Sequence, residues 1–251
     1  MSRQLKQLLY GGFYLGIIIF FIIPFYNAFL KPTPSCFDKV QNQNEEGVDC
    51  GGVCSQICLP ADLAPISLAE RPRIFTPFPG RLSILVALKN PNAEYGANLQ
   101  YKIFLEDATG QVLGVTTQDE VLFSSQIKYI LLPNFSLEGA DKVTQARVEV
   151  LYTDWLPQAF ISQPRVSLRN EITQEEEGVI RVRGTVVNED IKAAERVNIV
   201  ALIVNEWGGT LGASATVLEN LAPGEVREFS ISHPKVPNVN FDETKVFIAA
   251  R

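Results

Sequence analysis

LVALKNPNAEYGANLQYKIFLEDATGQVLG, residues 85–114, contains the pattern on which the fold prediction rests. Apolar and polar residues alternate from Leu99 to Leu105, and this period of two is typical of a β-strand that buries one face. The segment DATGQ that follows, residues 107–111, reads as a hairpin turn in which Gly110 supplies a positive φ angle. The sequence therefore predicts a half-buried strand that ends in a tight hairpin.

The same pattern returns 98 positions later, in VRGTVVNEDIKAAERVNIVALIVNEWGGTLG at residues 182–212. Several residues are identical at this offset: Asn90 and Asn188, Gly110 and Gly208, Leu113 and Leu211, Gly114 and Gly212. Strand-like segments flank both stretches, and such short strands with turns about every 8–12 residues are typical of β-sandwiches. We predict an all-β fold of two tandem immunoglobulin-like sandwiches, at 63–157 and 163–251, each with seven or so strands and joined by a linker stiffened by Pro157 and Pro164.

The N-terminus carries a different pattern: LLYGGFYLGIIIFFIIPFYNAFL, residues 8–30, has no charged residue. At about 1.5 Å per residue, a helix of this length spans the hydrocarbon core of a bilayer. A cleaved signal peptide is the alternative, but its apolar region is usually about 7–15 residues long and ends at an A-x-A-like site. We predict an uncleaved, single-pass transmembrane signal anchor. Gly12 and Gly16 form a GxxxG spacing that would allow two such helices to pack as a homodimer.

Charge predicts the orientation of this helix. Arg3 and Lys6 precede it, and all 28 acidic residues and the other 20 basic residues follow residue 30, which gives that part a net charge of −8. Because positive charge stays inside, we expect residues 1–7 in the cytoplasm and the C-terminal domains outside the cell membrane. An acidic ectodomain without a basic patch argues against nucleic acid as a partner.

The four cysteines of the chain, Cys36, Cys50, Cys54 and Cys58, all lie in a juxtamembrane segment at 31–62. Outside the cytoplasm an even number of cysteines predicts disulfides, here two bridges with three connectivities open. A bridge from Cys36 to Cys50, for example, would close a loop of about 15 residues and contribute ~3 kcal/mol.

Metal binding by this segment is the alternative. Zinc is disfavoured because Cys36 stands apart from the other three thiols. Calcium is the stronger competitor, because Asp38, Asn42, Glu45 and Asp49 supply oxygen ligands, although the loop lacks the glutamate of an EF-hand. We predict no cofactor and no metal, with calcium as the alternative.

The cysteine segment resembles a short element of bacterial secreted and surface proteins that is built around the sequence VDCGG, here residues 48–52. This resemblance implies an exported, disulfide-bearing module. The segments VRGTVVNED, residues 182–190, and ENLAPGEVREFSI, residues 219–231, resemble FxLYD-type immunoglobulin-like domains of prokaryotic surface proteins. ALKNPN, residues 87–92, is similar to the related LEA14 or WHy domain, although the first copy lacks the Leu-x-Pro-Gly segment of the second. Both families imply sandwiches that serve as binding or spacer modules.

No catalytic motif accompanies these patterns. The single histidine, His233, stands beside a proline with no nucleophile elbow near it, and no phosphate-binding or metalloprotease motif occurs. We expect Trp155 and Trp207 to serve in packing rather than in ligand stacking. The chain is therefore predicted to be a non-enzymatic structural or interaction protein that contacts envelope proteins, with strand addition at a sheet edge as one mode. The alternative is a module that binds carbohydrate or another small molecule.

The disulfide prediction has a direct test. Mass spectrometry of the non-reduced chain should find two intramolecular bridges among Cys36, Cys50, Cys54 and Cys58, because an extracytoplasmic compartment is oxidising. Four thiols that are alkylated without a reductant would contradict both the bridges and the predicted location.

Overall fold

Helix α1 runs from Arg3 to Phe25 in a computed structural model of the chain, which describes residues 3–26 and 35–251. Its segment Lys6–Phe25, with a mean hydropathy of 2.2, is long and apolar enough to cross a membrane. The helix begins five residues before the predicted span, because the polar residues there are good helix formers. The predicted end of the span, 27–30, lies outside the described residues. An apolar helix in this position serves either as a membrane anchor or as a signal sequence.

The chain divides into two units, residues 1–61 and 62–251, and the second is described without a gap. Twelve strands form this second unit, and all their pairings are antiparallel. The strands are β1 (Ser67–Phe78), β2 (Arg81–Lys89), β3 (Tyr95–Glu106), β4 (Val112–Leu122), β5 (Ile127–Ser136), β6 (Gln145–Pro157), β7 (Val166–Glu176), β8 (Val179–Asn188), β9 (Ala194–Val204), β10 (Thr210–Leu221), β11 (Val226–Pro234) and β12 (Lys245–Ala250). A short 3₁₀ turn, Ala140–Lys142, precedes β6.

Two tandem β-sandwiches result, which confirms the predicted fold class. Sandwich 1 pairs the sheet β1-β2-β5 with the sheet β4-β3-β6, and sandwich 2 pairs β7-β8-β11 with β10-β9-β12. Each sandwich has six strands rather than the expected seven or so, since each of its two sheets has three. The strand order is the same in both, and each strand of sandwich 2 begins 98 to 100 residues after its counterpart.

Each sandwich has its own apolar core between its sheets. The alternating residues of β3 point inward as predicted, and Tyr101, Ile103 and Leu105 are fully buried. Their counterparts on β9, Ile199 and Ile203 among them, fill the second core. Each such side chain stabilises the fold by about 1.5–3 kcal/mol relative to an exposed position.

The aligned asparagines have the same structural role in both sandwiches. Asn90 is fully buried, and its Nδ2 donates to the carbonyls of Tyr95 (2.7 Å) and Phe123 (2.9 Å). Asn188 is equally buried and donates to the carbonyls of Lys192 (2.8 Å) and Leu221 (2.9 Å). Each side chain also accepts the backbone N–H two residues further on, at 3.0 Å. Each asparagine therefore fixes the loop that follows its strand to the far end of the next hairpin.

The predicted hairpin turns are present at the other end of each sandwich. Asp107 and Asn205 accept backbone N–H groups through their side chains and so hold the two turns. Gly110 and Gly208 have φ angles of 84° and 73°, a region that a side chain disfavours. This confirms the positive φ angles expected from the sequence.

Replacing a buried asparagine should cost far more stability than replacing an exposed one. Asn188→Ala leaves two carbonyls and one N–H without their partner, and each buried polar group left unpaired costs about 1–3 kcal/mol. We expect the free energy of unfolding to fall by about 2–4 kcal/mol, measured by urea denaturation. Asn98→Ala, at an exposed position, is the control, and an equal loss in both variants would contradict this role.

Candidate functional site

The predicted helix-packing residues lie on an open surface of α1. A Cβ atom added at Gly12 or at Gly16 would meet no other described atom within 4 Å. Both positions therefore leave room for the close approach of another helix. Dimerisation through this spacing stays a prediction.

The four cysteines form two bridges, Cys36–Cys54 and Cys50–Cys58, so the disulfide prediction is confirmed. The connectivity that the sequence left open is an interleaved one, since each bridge encloses one cysteine of the other. The example loop from Cys36 to Cys50 does not occur. Because the sulfur atoms are bonded to each other, no thiolate among the described residues remains to bind zinc.

The candidate calcium ligands come together, but their oxygen atoms serve the backbone of the segment. The Asp49 carboxylate accepts the N–H groups of Asp38 (3.0 Å) and Lys39 (2.9 Å). The Asp38 carboxylate accepts the Asn42 side-chain amide at 2.9 Å, and this bond, with backbone N–H groups, holds the Asp38 pKa below its ordinary value.

Glu45 occupies the centre of this small network and is buried. Its Oε2 accepts the N–H groups of Asn42 (3.1 Å) and Asp49 (3.3 Å), and its Oε1 contacts the Cys54 sulfur at 3.1 Å. That contact is not a hydrogen bond, since a disulfide sulfur carries no proton. A cation would have to compete with these N–H groups for the carboxylates, and calcium binding stays a prediction.

The second glycine of VDCGG, Gly52, is required sterically. Gly52 has a φ angle of +57°, and a Cβ atom at this position would lie 1.7 Å from the carbonyl oxygen of Asn44. No side chain fits there, so the close approach of residue 52 to the Asn44 backbone requires glycine.

Of the two tryptophans and the histidine noted in the sequence, two are packed in the fold and one is exposed. Trp155 packs against the core of sandwich 1 as expected, whereas the packing predicted for Trp207 is wrong, because it is 82% exposed at the tip of the β9–β10 hairpin. His233 is buried, its Nδ1 lies 2.9 Å from Ser214 Oγ, and burial lowers its pKa. Within residues 35–251 no carboxylate is hydrogen-bonded to this imidazole, so the pair lacks the third group of a catalytic triad.

Sandwich 1 and sandwich 2 contact each other through the outer faces of two sheets. Side chains of β1-β2-β5 meet those of β10-β9-β12 in one apolar cluster: Phe75, Leu85, Tyr129, Leu131, Val200, Leu202, Ala213 and Phe247. The rings of Tyr129 and Phe247 stack with their centroids 3.8 Å apart. The central strands β2 and β9 are therefore covered on both faces, by their own core and by the other sandwich.

Polar groups border this cluster. Arg73 on β1 donates to the Thr210 hydroxyl of sandwich 2 and pairs with Glu70 at 2.6 Å. Burial, followed by a hydrogen bond with Glu70, raises the pKa of Tyr129 to about 12, so its hydroxyl stays protonated. The contact thus combines an apolar centre with a polar margin.

A groove of about 600 Å³ lies beside the contact, between the two sandwiches. Its floor is the outer face of sandwich 2, with Arg196, Asn198 and Val200 of β9. Consecutive residues of three strands line the rest: 118–120 of β4, 128–133 of β5 and 215–217 of β10. Because side chains alternate between the faces of a strand, consecutive lining residues mean that strand edges border the groove. Each of these three strands is the outer strand of its sheet.

Lys128 is a buried charge in the wall of the groove. Its side chain is only 2% exposed, and its Nζ lies 2.5 Å from Glu120 Oε1 and 3.1 Å from the Val121 carbonyl oxygen. The position on β5 belongs to the inward-facing set, since Lys128 is opposite the core residue Leu88. The ion pair therefore joins the edges of β4 and β5 where the two sheets of sandwich 1 meet.

A second concavity of about 390 Å³ adjoins the groove and shares Asp119, Glu120 and Arg251 with it. A β-bulge in β6 shapes it, since Tyr152 is opposite Gln100 whereas Val150 is opposite Tyr101. The extra residue turns Tyr152 to the outer face of the sheet, where it is 63% exposed. Asn98, Gln100 and Asp154 line the same face.

Sequence reasoning missed both the contact and the groove. The signal was the composition of the two central strands, LSILVAL at 82–88 and IVALIV at 199–204, which contain almost no polar residue. An uninterrupted apolar run indicates a strand buried on both faces, whereas alternation indicates burial on one. These runs could have predicted that each sandwich covers the other.

Comparison with known proteins does not show a family for the chain. No protein-family model matches the chain, and no curated protein matches it. Among solved structures it is similar to the crystal structure of red sea bream transglutaminase, with 11% sequence identity and a TM-score of 0.22. The match covers 72% of this chain and 31% of that one, so the chain spans less than a third of the other protein. A likeness this weak supports no argument about activity.

Removal of one partner of the buried ion pair should destabilise sandwich 1 more than removal of both. Glu120→Gln leaves the Lys128 ammonium buried without its carboxylate, and breaking such a pair costs about 3–5 kcal/mol. The double variant Glu120→Leu with Lys128→Met should recover most of this loss, because neither charge then remains to be desolvated. Urea denaturation measures both, and a double variant as unstable as Glu120→Gln would contradict the assignment.

Proposed function

We propose that the chain is a non-enzymatic, membrane-tethered protein that presents two packed sandwiches for protein contacts on the outer side of the cell membrane. The observation that carries the proposal is the groove between the sandwiches, because three sheet edges border it and its volume suits a segment of another protein. Protein partners often add to sheet edges, where main-chain hydrogen bonds supply affinity.

The location is inferred from the N-terminal quarter of the chain. Arg3 and Lys6 favour a cytoplasmic N-terminus for the apolar helix. The two disulfides favour an oxidising compartment for the segment that follows it. Both point to a single-pass anchor with the sandwiches outside, among the proteins of the cell envelope.

The family is inferred from short segments. VDCGG at 48–52 supports membership among bacterial surface proteins with this cysteine element, and residues 182–231 support an FxLYD-like second sandwich. The equal strand order of the two sandwiches and the near-constant offset support a tandem duplication. In this proposal the first sandwich is a diverged, LEA14-like copy.

A second candidate function is the binding of carbohydrate or another small molecule in the concavity beside Tyr152. The exposed ring could stack on a sugar face, and Asn98, Gln100 and Asp154 offer hydrogen-bonding groups on the same side. Pockets of this type combine an apolar platform with a few polar groups that fix orientation.

Site-specific photo-crosslinking in cells that naturally carry the protein distinguishes the two. A photoreactive residue at Pro133, exposed in the groove, should form cross-links to a protein, whereas one at Ser230, exposed on the opposite sheet of sandwich 2, should not. Equal labelling from both positions, or from neither, would contradict a protein site in the groove.

A glycan array probed with the purified full-length chain completes the test. Glycan binding that Tyr152→Ala abolishes, without a cross-link from Pro133, would replace the protein-contact function by the second candidate. We expect no glycan binding.

A further inference from the structure

The outer strand β10 differs from the other outer strands in the length of its uninterrupted, uncharged stretch. Its residues 210–218, TLGASATVL, include no charged residue and no proline, and the register irregularity between Thr210 and Gly212 leaves 212–218 uninterrupted. The other outer strands contain charges, prolines or bulges that interrupt them at shorter intervals, for example Lys128 and Pro133 in β5. Such residues block unwanted pairing of exposed edges with other chains. An outer strand without such residues can pair with a strand of another chain.

The first part of this edge is covered by sandwich 1. Thr210 accepts a hydrogen bond from Arg73, and Ala213 is buried in the apolar cluster. The next part is open, because Ala215 and Val217 are exposed and residues 215–217 border the groove. Residues 215–217 of this outer strand, which pairs with β9 on one side only, therefore border the groove.

Strand β4, the counterpart of β10 in sandwich 1, provides an internal comparison. At the offset of 98, Asp119 and Glu120 of β4 correspond to Val217 and Leu218 of β10. Both strands border the same groove, yet only β4 carries charges at these positions. One wall of the groove is thus protected against strand pairing, and the other is not.

The charges of the groove indicate the chemistry of an occupant. Arg196 donates to Asn198 at 3.3 Å, and neither Arg196 nor Arg251 forms an ion pair with another residue of the described chain. The carboxylate of Glu120 is already paired with Lys128, and that of Asp119, which forms no ion pair within the described residues, accepts the Gln100 side-chain amide at 2.8 Å. The cations at this end of the groove are therefore available to an acidic side chain.

We propose that residues 215–218 of β10 pair with an extended segment of a partner protein, which lies in the groove and places an acidic side chain near Arg196 and Arg251. This inference rests on the proposed function, since it specifies how the groove would hold a protein. The main-chain hydrogen bonds of β10 supply the affinity, and the arginines select the sequence.

Selection from a displayed library of random linear decapeptides tests the pairing with the full-length chain in lipid nanodiscs. Enriched peptides should contain acidic residues, and a synthetic copy should protect amides 214–218 from hydrogen exchange. Val217→Asp introduces the charge that β4 carries and should raise the peptide Kd by about tenfold or more. Val217→Thr keeps an uncharged, β-branched residue and should change the Kd by less than about twofold.

Several outcomes would overturn the pairing: no enriched peptide, equal binding to the Val217→Asp variant, or protection of β4 instead of β10. Protection of 214–218 by a second copy of the chain, without peptide, would also overturn it. Ala215→Lys is the replacement variant if circular dichroism shows that Val217→Asp fails to fold. A cross-link from Pro133 that persists in the Val217→Asp variant would contradict the strand pairing but not the proposed function. The absence of any cross-link from Pro133 when Val217 is unchanged would contradict both.

Discussion

The apolar contact between the outer faces of two sheets is the interaction on which the rest of the structure depends. Leu85 on β2 meets Val200 and Leu202 on β9, and each of these side chains is almost completely buried. At about 1.5–3 kcal/mol for each buried side chain, the contact is comparable to part of a domain core. The groove exists because this contact holds the edges of β4, β5 and β10 beside one another.

The two sandwiches have the same strand order but different surfaces where they meet the groove. Lys128, opposite Leu88, is buried and paired with Glu120 in sandwich 1, whereas its counterpart Arg227, opposite Val186, is 35% exposed and paired with Glu225. The uncharged edge of β10 likewise faces the charged edge of β4. At equivalent positions, residues that stabilise the fold, such as Asn90 and Asn188, are the same in the two sandwiches. Residues that border the groove differ. Such a division is typical of a scaffold whose site is carried by its periphery.

Local patterns predicted most of the fold. Alternation identified β3 and β9, the glycines located the hairpin turns, and an uncharged stretch identified the helix. These features depend on residues that are close in sequence, so a short window contains the information. The buried asparagines were visible as an aligned pair, although their hydrogen-bond partners were not, since each has one partner 33 residues away.

Contacts between residues that are distant in the chain could not be predicted from the sequence. The disulfide pairing, the close approach of Gly52 to the Asn44 carbonyl and the exposure of Trp207 all depend on how distant parts of the chain are placed, which a local pattern does not contain. The candidate site needed both sandwiches in contact, and only the apolar runs of β2 and β9 hinted at this. Edge protection is readable in the sequence once the outer strands are known.

The interleaved bridges also set a mechanical property of the cysteine segment. Fully extended, residues 36–58 would reach about 75–80 Å. The covalent path through Cys36 and Cys54 is far shorter, since it joins Cα atoms 5.6 Å apart and then follows only the residues up to Cys58. The ends of the segment thus stay within about 20 Å of each other under any pulling force that leaves the bonds intact. A load applied to the chain is therefore transmitted through this segment with its extension limited to about 20 Å, a quarter of the length of the unbridged chain.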